Sequence, residues 1–189
     1  MLVIWLGDLP LPLAAQKKLG RSIDQLPPFD DPVLHRLIQS VLVHMDAFHA
    51  DSSMAVIGKA MQYIEPTRDI EAYYYLLCFR AEGLYYEGLF HEGISDLDRS
   101  ETLARQLQDS ILIANVYNLK GLLHENIQDN QLALPLLRKA LAWFPRHAAA
   151  RYPLSELHHI HGNMGSYLTN LGKLDSAGIH LIQSLELAR

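Results

Sequence analysis

Small residues return at a fixed interval through most of this chain, and that return limits what it can fold into. Residues 117–145, YNLKGLLHENIQDNQLALPLLRKALAWFP, hold Gly121, Ala133 and Ala140 among apolar side chains, with Pro145 closing the run. The pair Ala133/Ala140 has counterparts at Gly93/Ser100 before it, Ala177/Ser184 after it, and a weaker one at Ser53/Ala60. The steps between the first members are 40, 40 and 44 residues. A second series, Val41, Ala81, Gly121 and Gly165, runs in phase, as does a third, Phe48, Gly88, Gln128 and Gly172. A period of this size marks a stacked array in which no unit buries its apolar face alone. Gly121 and Ala133 leave room for two helices to cross closely, while Leu137 and Ala140 offer an apolar ridge to the next pair.

Taken together, Tyr117, Gly121, His124, Ala133, Leu137, Ala140 and Pro145 resemble the tetratricopeptide repeat, a unit of two antiparallel helices. His124 departs from the aromatic usual at its place. The resemblance covers roughly residues 32–189. It implies an all-α fold, a right-handed α-solenoid of about four antiparallel helix hairpins. The step near 40 exceeds the commonest repeat of about 34 residues, which predicts longer helices. Long repeats with endings such as SETLARQ (100–106) and SLELAR (184–189) are similar to arrays in bacterial signalling and regulatory proteins.

Composition narrows the class. Of 189 residues, 49% are hydrophobic and 20% charged, which describes a folded chain and not a disordered one. A net charge of −5 with 16 scattered Lys and Arg argues against nucleic acid as partner. Cys78 is the sole cysteine, so no intramolecular disulfide forms and the redox compartment is not readable from it. No apolar run reaches the ~18–20 residues that span a bilayer, so no direct membrane contact is expected of this segment. The opening MLVIWLGDLPLPLAA lacks a basic start and carries Asp8, Pro10 and Pro12, and reads as a helix fragment instead of a signal peptide.

Along the chain, residues 1–30 read as an N-terminal helix or partial repeat, with a helix over about 12–24 ended by Pro27 and Pro28. Residues 31–189 form the repeat domain. Asp31 before Pro32 is a strong helix start. That helix runs to about Phe48, and Asp51 or Ser52 caps the next, to about Ile64. Further helices are expected from near Asp69, over 90–106, 110–127 and 130–144, and near 153–171 and 173–188. Pro135 lies past the first turn of its helix and predicts a local kink. Residues 146–152 form a longer link that accounts for the step of 44. The apolar stripe of the last helix has no polar cap after Leu187, which implies a longer protein or a partner on that end.

Catalytic and metal motifs fail on inspection. His158, His159 and His161 form the densest polar cluster, and His158 and His161 share a helix face as zinc ligands must, but no Cys or carboxylate completes the set. His124-Glu125 would need a histidine where Gln128 stands. Gly88 and Gly93 have phosphate-loop spacing but are followed by Ile94 and Ser95. No Gly-x-Ser-x-Gly is present. Cys78 has no histidine three or four residues away and reads as a packed or groove-lining thiol. No cofactor and no metal is expected, and the chain is read as non-catalytic.

The tetratricopeptide resemblance implies that the first helix of each hairpin lines a concave groove. Carried over position by position, the candidate lining is Tyr75, Glu82, Tyr85 and Tyr86 in the second hairpin. In the third it is Asn115, Asn118, Glu125 and Asn126, and in the fourth His159, Asn163, Ser166 and Asn170. Asparagines both donate to and accept from a peptide backbone, and tyrosines add contact area with a polar tip. Lys and Arg are absent from the places that clamp a carboxylate in chaperone-binding members of the family. The expected function is a protein- or peptide-binding module, the sensory or regulatory region of a bacterial signalling protein. Two alternatives are a stand-alone adaptor that self-associates through open repeat ends, and a metal-dependent enzyme built on His158, His159 and His161.

Overall fold

The computed structural model describes residues 27, 29–47, 49–144 and 157–188. The expected helix over 12–24, the link at 146–152 and the helix opening at Pro153 lie outside them. Eight helices follow one another: α1 (Pro32–Asp46), α2 (Ala50–Tyr63), α3 (Ile70–Tyr86), α4 (Phe90–Gln106), α5 (Ser110–Asn126), α6 (Asn130–Trp143), α7 (Leu157–Asn170) and α8 (Leu174–Leu187). No strand occurs among the described residues. The described residues form an all-α solenoid of four hairpins, which repeat at the spacing of the small residues.

Side-chain caps start three of the helices. The Asp31 carboxylate accepts from Val33 N at 2.8 Å and Leu34 N at 3.1 Å, with Pro32 in the first turn. Asp109 accepts from Ile111 N and Leu112 N, and Asp129 from Leu132 N. The second helix departs from expectation. It starts at Ala50 after His49, without a side-chain cap, and Asp51 lies within its first turn. There its charge still favours the positive end of the helix dipole. α6 runs unbroken through Pro135.

Hairpin turns share one backbone device. Gly88, Gln128 and Gly172 all have positive φ, at 77°, 59° and 70°. The next amide in each case reaches back five residues, Leu89 N to Leu84 O, Asp129 N to His124 O and Lys173 N to Leu168 O, each at 2.9 Å. This is the left-handed cap that closes a helix by using its last carbonyls. Gln128 holds this geometry with a Cβ, which glycine would avoid. Gln128→Gly is therefore expected to stabilise the chain by about 0.5–1 kcal/mol, read as a higher urea midpoint at unchanged slope. A midpoint that falls would contradict the cap.

The crossing of each of the last three hairpins is built on one glycine and one alanine that face each other. A Cβ added to Gly121 would lie 2.7 Å from Leu137 and 3.4 Å from the Ala133 carbonyl. One added to Gly165 would lie 2.6 Å from Leu181 and 3.3 Å from the Ala177 carbonyl. In the second hairpin the two types change places: Gly93 on α4 faces Ala81 on α3, whose carbonyl is 3.2 Å from an added Cβ. The pair, more than either residue, is what repeats.

Each first helix also touches the next first helix, α1 to α3, α3 to α5 and α5 to α7, while among the described residues no two second helices meet. The stack therefore curves with α1, α3, α5 and α7 on the inside. That position explains why α3 and α5 are buried on nearly every side, Leu76, Leu77, Cys78 and Phe79 being fully enclosed. Charged pairs tie α4 to both neighbours. Arg80 on α3 clasps the buried Asp96. Lys120 on α5, itself buried, reaches Glu101 at 2.6 Å and Asp98 at 2.7 Å. Burial alone would raise the Glu101 carboxyl, but hydrogen bonds from Lys120, Arg105 and Tyr117 hold it at about 2.

Candidate functional site

The inner layer brings the candidate residues of α3, α5 and α7 side by side, and it sorts them into two groups. Tyr75, Asn115 and Asn118 are not on the open surface: they are 0%, 1% and 3% exposed. Tyr75 packs against Phe79 and meets the edge of Phe29. Asn115 donates from Nδ2 to the Tyr74 hydroxyl at 3.1 Å, and that hydroxyl donates to the Leu112 carbonyl at 2.9 Å. Asn118 Oδ1 accepts from Asn163 Nδ2 at 3.0 Å. Farther along the same two helices, Glu125 Oε1 accepts from Asn170 Nδ2 at 2.7 Å.

These contacts are rungs between adjacent first helices. Two, both through the Tyr74 hydroxyl, join α3 to α5 and two join α5 to α7. An amide placed where a ligand would meet it instead spends its hydrogen bonds on the neighbouring helix, where it fixes the register of the stack. Tyr74, Asn115 and Asn118 are thus structural. So is Cys78, whose thiol burial pushes up to about 12, far from the thiolate that a nucleophile requires.

The second group stays accessible. Tyr86 is 61% exposed and meets the edge of the half-buried Tyr85, which also contacts Phe90. Asn126, Ser166 and Asn170 are exposed, and Glu82, Glu125, His159 and Asn163 are half-buried. The Asn126 amide donates to the Leu122 carbonyl of its own helix at 2.9 Å. Burial raises the Glu125 carboxyl, and the Asn170 hydrogen bond opposes this in part. The result is an inner face with tyrosines toward one end, amides and a hydroxyl toward the other, and two carboxylates between. Between the starts of α1 and α3 lies a cavity of about 190 Å³ lined by Phe29, Asp31, Leu34, Arg68, Asp69 and Ala72 among others. Arg68 is paired there with Glu65 and Asp69.

The histidine cluster takes a form the sequence did not reveal. His161 on α7 meets His180 on α8, Nδ1 to Nδ1 at 2.9 Å, while the rings of His158 and His159 lie 4.0 Å apart. Among the described residues no group of three or more His, Cys, Asp or Glu is placed to hold a metal ion. The His161–His180 contact requires one ring to donate and the other to accept, so it is lost when both rings are protonated. Burial lowers both imidazoles, and proximity of His180 lowers His161 further. The unfolded chain then takes up protons first. Stability is complete above about pH 6.5 and falls as the pH drops below it. The melting temperature is expected to decline between pH 7 and 5, and His180→Gln to flatten that decline. An unchanged slope in the variant would assign the acid sensitivity elsewhere.

Comparison with known proteins follows from this geometry. Residues 114–147 match a family model described as tetratricopeptide repeat, which spans most of α5 and all of α6. A search of curated proteins finds no match. A solved structure titled "Crystal structure of MamA" superposes with a TM-score of 0.53 at 18% identity, over 93% of this chain and 85% of that one. At that identity the likeness speaks for the fold. The tetratricopeptide reading thus stands on one repeat matched in sequence and on a tetratricopeptide-type solenoid shared over nearly the whole chain.

Proposed function

We propose that the chain is a non-catalytic protein-interaction module whose inner face holds an extended segment of another protein. The observation that carries this is the division of labour on α3, α5 and α7. The buried amides Asn115 and Asn118, the latter bonded to the half-buried Asn163, lock the helices together, and a surface of Tyr85, Tyr86, Asn126, Ser166 and Asn170 remains in front of them. A face locked from behind loses little entropy when it binds. Repeat solenoids use their concave sides in this way.

The charges on this face define the ligand further. Glu82 and Glu125 are its acids, and no Lys or Arg occupies an equivalent place on α3, α5 or α7. The fitting segment is neutral or basic, with a side chain or amine to meet a carboxylate, and not an acidic chain end. The finer reading, a sensory or regulatory region of a bacterial signalling protein, is supported by the long repeat step and the endings at 100–106 and 184–189.

A matched pair of peptide libraries tests the proposal, one carrying lysine at fixed positions and one carrying glutamate there. Lysine peptides are expected to bind at micromolar strength. The double variant Tyr86→Ala with Ser166→Arg is expected to lose them with helix content unchanged, both positions being exposed. Equal binding by the double variant would remove the inner face from the account.

A further inference from the structure

The inner face is closed over the first halves of α3 and α5 and open over the second. Residues 74–79 of α3 and 112–121 of α5 are buried without a break. A helix turns once in 3.6 residues, so at this level both helices are covered on every side. The helices that touch α3 are α1, α2, α4 and α5, and those that touch α5 are α3, α4, α6 and α7. None of these lies on the inner side, yet Tyr75, Phe79, Asn115 and Asn118 are buried there. Farther along, Tyr86 and Asn126 are exposed. The closed half of the face is therefore filled by something other than the eight helices.

The chain enters α1 from that half. Phe29 meets His35 on α1 and Tyr75 on α3, with ring centroids 6.0 Å and 6.1 Å apart, and Pro27 is already buried. His35, Tyr75 and Asn115 follow one another at steps of 40 residues, at one place on three successive first helices. His35 Nδ1 and Asn115 Oδ1 are buried without a hydrogen-bond partner. A peptide backbone crossing these helices carries both the donors and the acceptors they lack. The face that a preceding hairpin would cover is open instead. Gly83 on α3 lies against Met54 of α2, while Val43, its counterpart on α1, is 49% exposed.

We infer that residues 1–26 fold back along the inner face of their own chain and compete there with the external segment, a regulation that rests on the inner face being the binding surface. The segment suits that surface in two ways. Leu13, Leu19 and Ile23 are among the apolar side chains it can bury against Tyr75, Phe79 and Leu119. It also has the charge that a face bearing Glu82 and Glu125 selects, with Lys17, Lys18 and Arg21 against Asp8 and Asp24. Its reach is sufficient. The chain from Lys18 to Pro27 spans up to about 30 Å when extended, while Tyr75 and Glu82 lie about 10 Å apart along α3. The lysines thus come to Glu82, at the border between the closed and open halves. There they stand where a lysine of the external segment would stand.

A benzophenone side chain at Tyr85, one turn from Glu82 on the same side of α3, tests this in the full 189-residue chain with no peptide added. Irradiation and peptide mapping are expected to give adducts with residues 1–26 within single chains. In the full chain, the double variant Lys17→Glu with Lys18→Glu is expected to lose most of these adducts. It is also expected to bind the lysine-bearing library peptides about tenfold more tightly, since a face occupied nine-tenths of the time shows a tenth of its affinity. Adducts with residues 145–156, adducts between chains, or no adducts would each overturn the inference. So would a measurable peptide affinity that is equal in the two proteins. Internal adducts with peptide bound by neither protein would uphold the fold-back and remove the external segment from the proposed function, so the two readings fail separately.

Discussion

Ala133→Arg is expected to abolish cooperative folding. Ala133 is fully buried, and its carbonyl lies 3.4 Å from the point where Gly121 would carry a Cβ. The helices α5 and α6 approach at a distance that tolerates no side chain longer than a methyl. Arginine there forces two unfavourable outcomes together, an overfilled crossing and a charge with no partner inside the core. Overpacking alone costs roughly 1–3 kcal/mol, and an unpaired buried charge about 3–5 more. Their sum approaches the whole stability of a domain, about 5–15 kcal/mol. Circular dichroism should show no sharp thermal transition. Ala133→Gly is the control, expected to lose only about 1 kcal/mol, because it leaves the crossing open. A wild-type melting curve for the arginine variant would show that the Gly121–Ala133 pair does not set the helix approach.

The second large effect belongs to Arg80. Its guanidinium meets both carboxylate oxygens of Asp96, through Nε at 2.5 Å and through Nη2, and Asp96 is only 3% exposed. Truncating the arginine strands a carboxylate between α3 and α4. Arg80→Ala is expected to cost about 3–5 kcal/mol. The joint change Arg80→Met with Asp96→Leu should recover most of that loss, since apolar residues of similar volume satisfy the same space without a desolvated charge. Urea titration of the three proteins reads this directly. If the double variant is no more stable than Arg80→Ala, the loss comes from packing of the arginine stem and not from the orphaned acid.

Much of the fold was legible because it depends on side-chain size at fixed intervals. The hairpins stand where Gly93, Ala133 and Ala177 placed them, and Gly88, Gln128 and Gly172, aligned by spacing alone, share one backbone turn. What could not be read is the exchange within the crossing pair. Taken singly, Ala81 and Gly93 look like scatter in two series. Their meaning appears only when α3 and α4 face each other and the glycine proves to have changed helices. The α2 start was misplaced for a local reason: Asp51 looks like a cap, but His49 precedes the first turn and the carboxylate already lies inside it.

The inner face was legible in position and not in role. Spacing put Asn118, Asn163, Glu125 and Asn170 on one layer, where the structure places them. It did not say that Asn118 bonds Asn163 and Glu125 bonds Asn170. Both pairs are 45 residues apart, and each helix repeats its partner after seven. Two polar residues two turns apart, matched at a constant offset on the next first helix, are a signature of such rungs. A single amide has none, because the same side chain serves a ligand or a neighbour equally well. His161 was likewise assigned to a cluster within α7, whereas its partner, His180, stands on α8.

Photo-crosslinking tests the central claim most directly. A benzophenone side chain placed at Ser166 samples the inner face, and one at Thr102 on α4 samples an exposed position on a second helix. With a lysine-bearing peptide from the library as probe, adducts are predicted at Ser166, suppressed by excess unlabelled peptide, and absent at Thr102. Equal labelling at the two positions, or labelling at Thr102 alone, would contradict a binding surface on the inside of the solenoid.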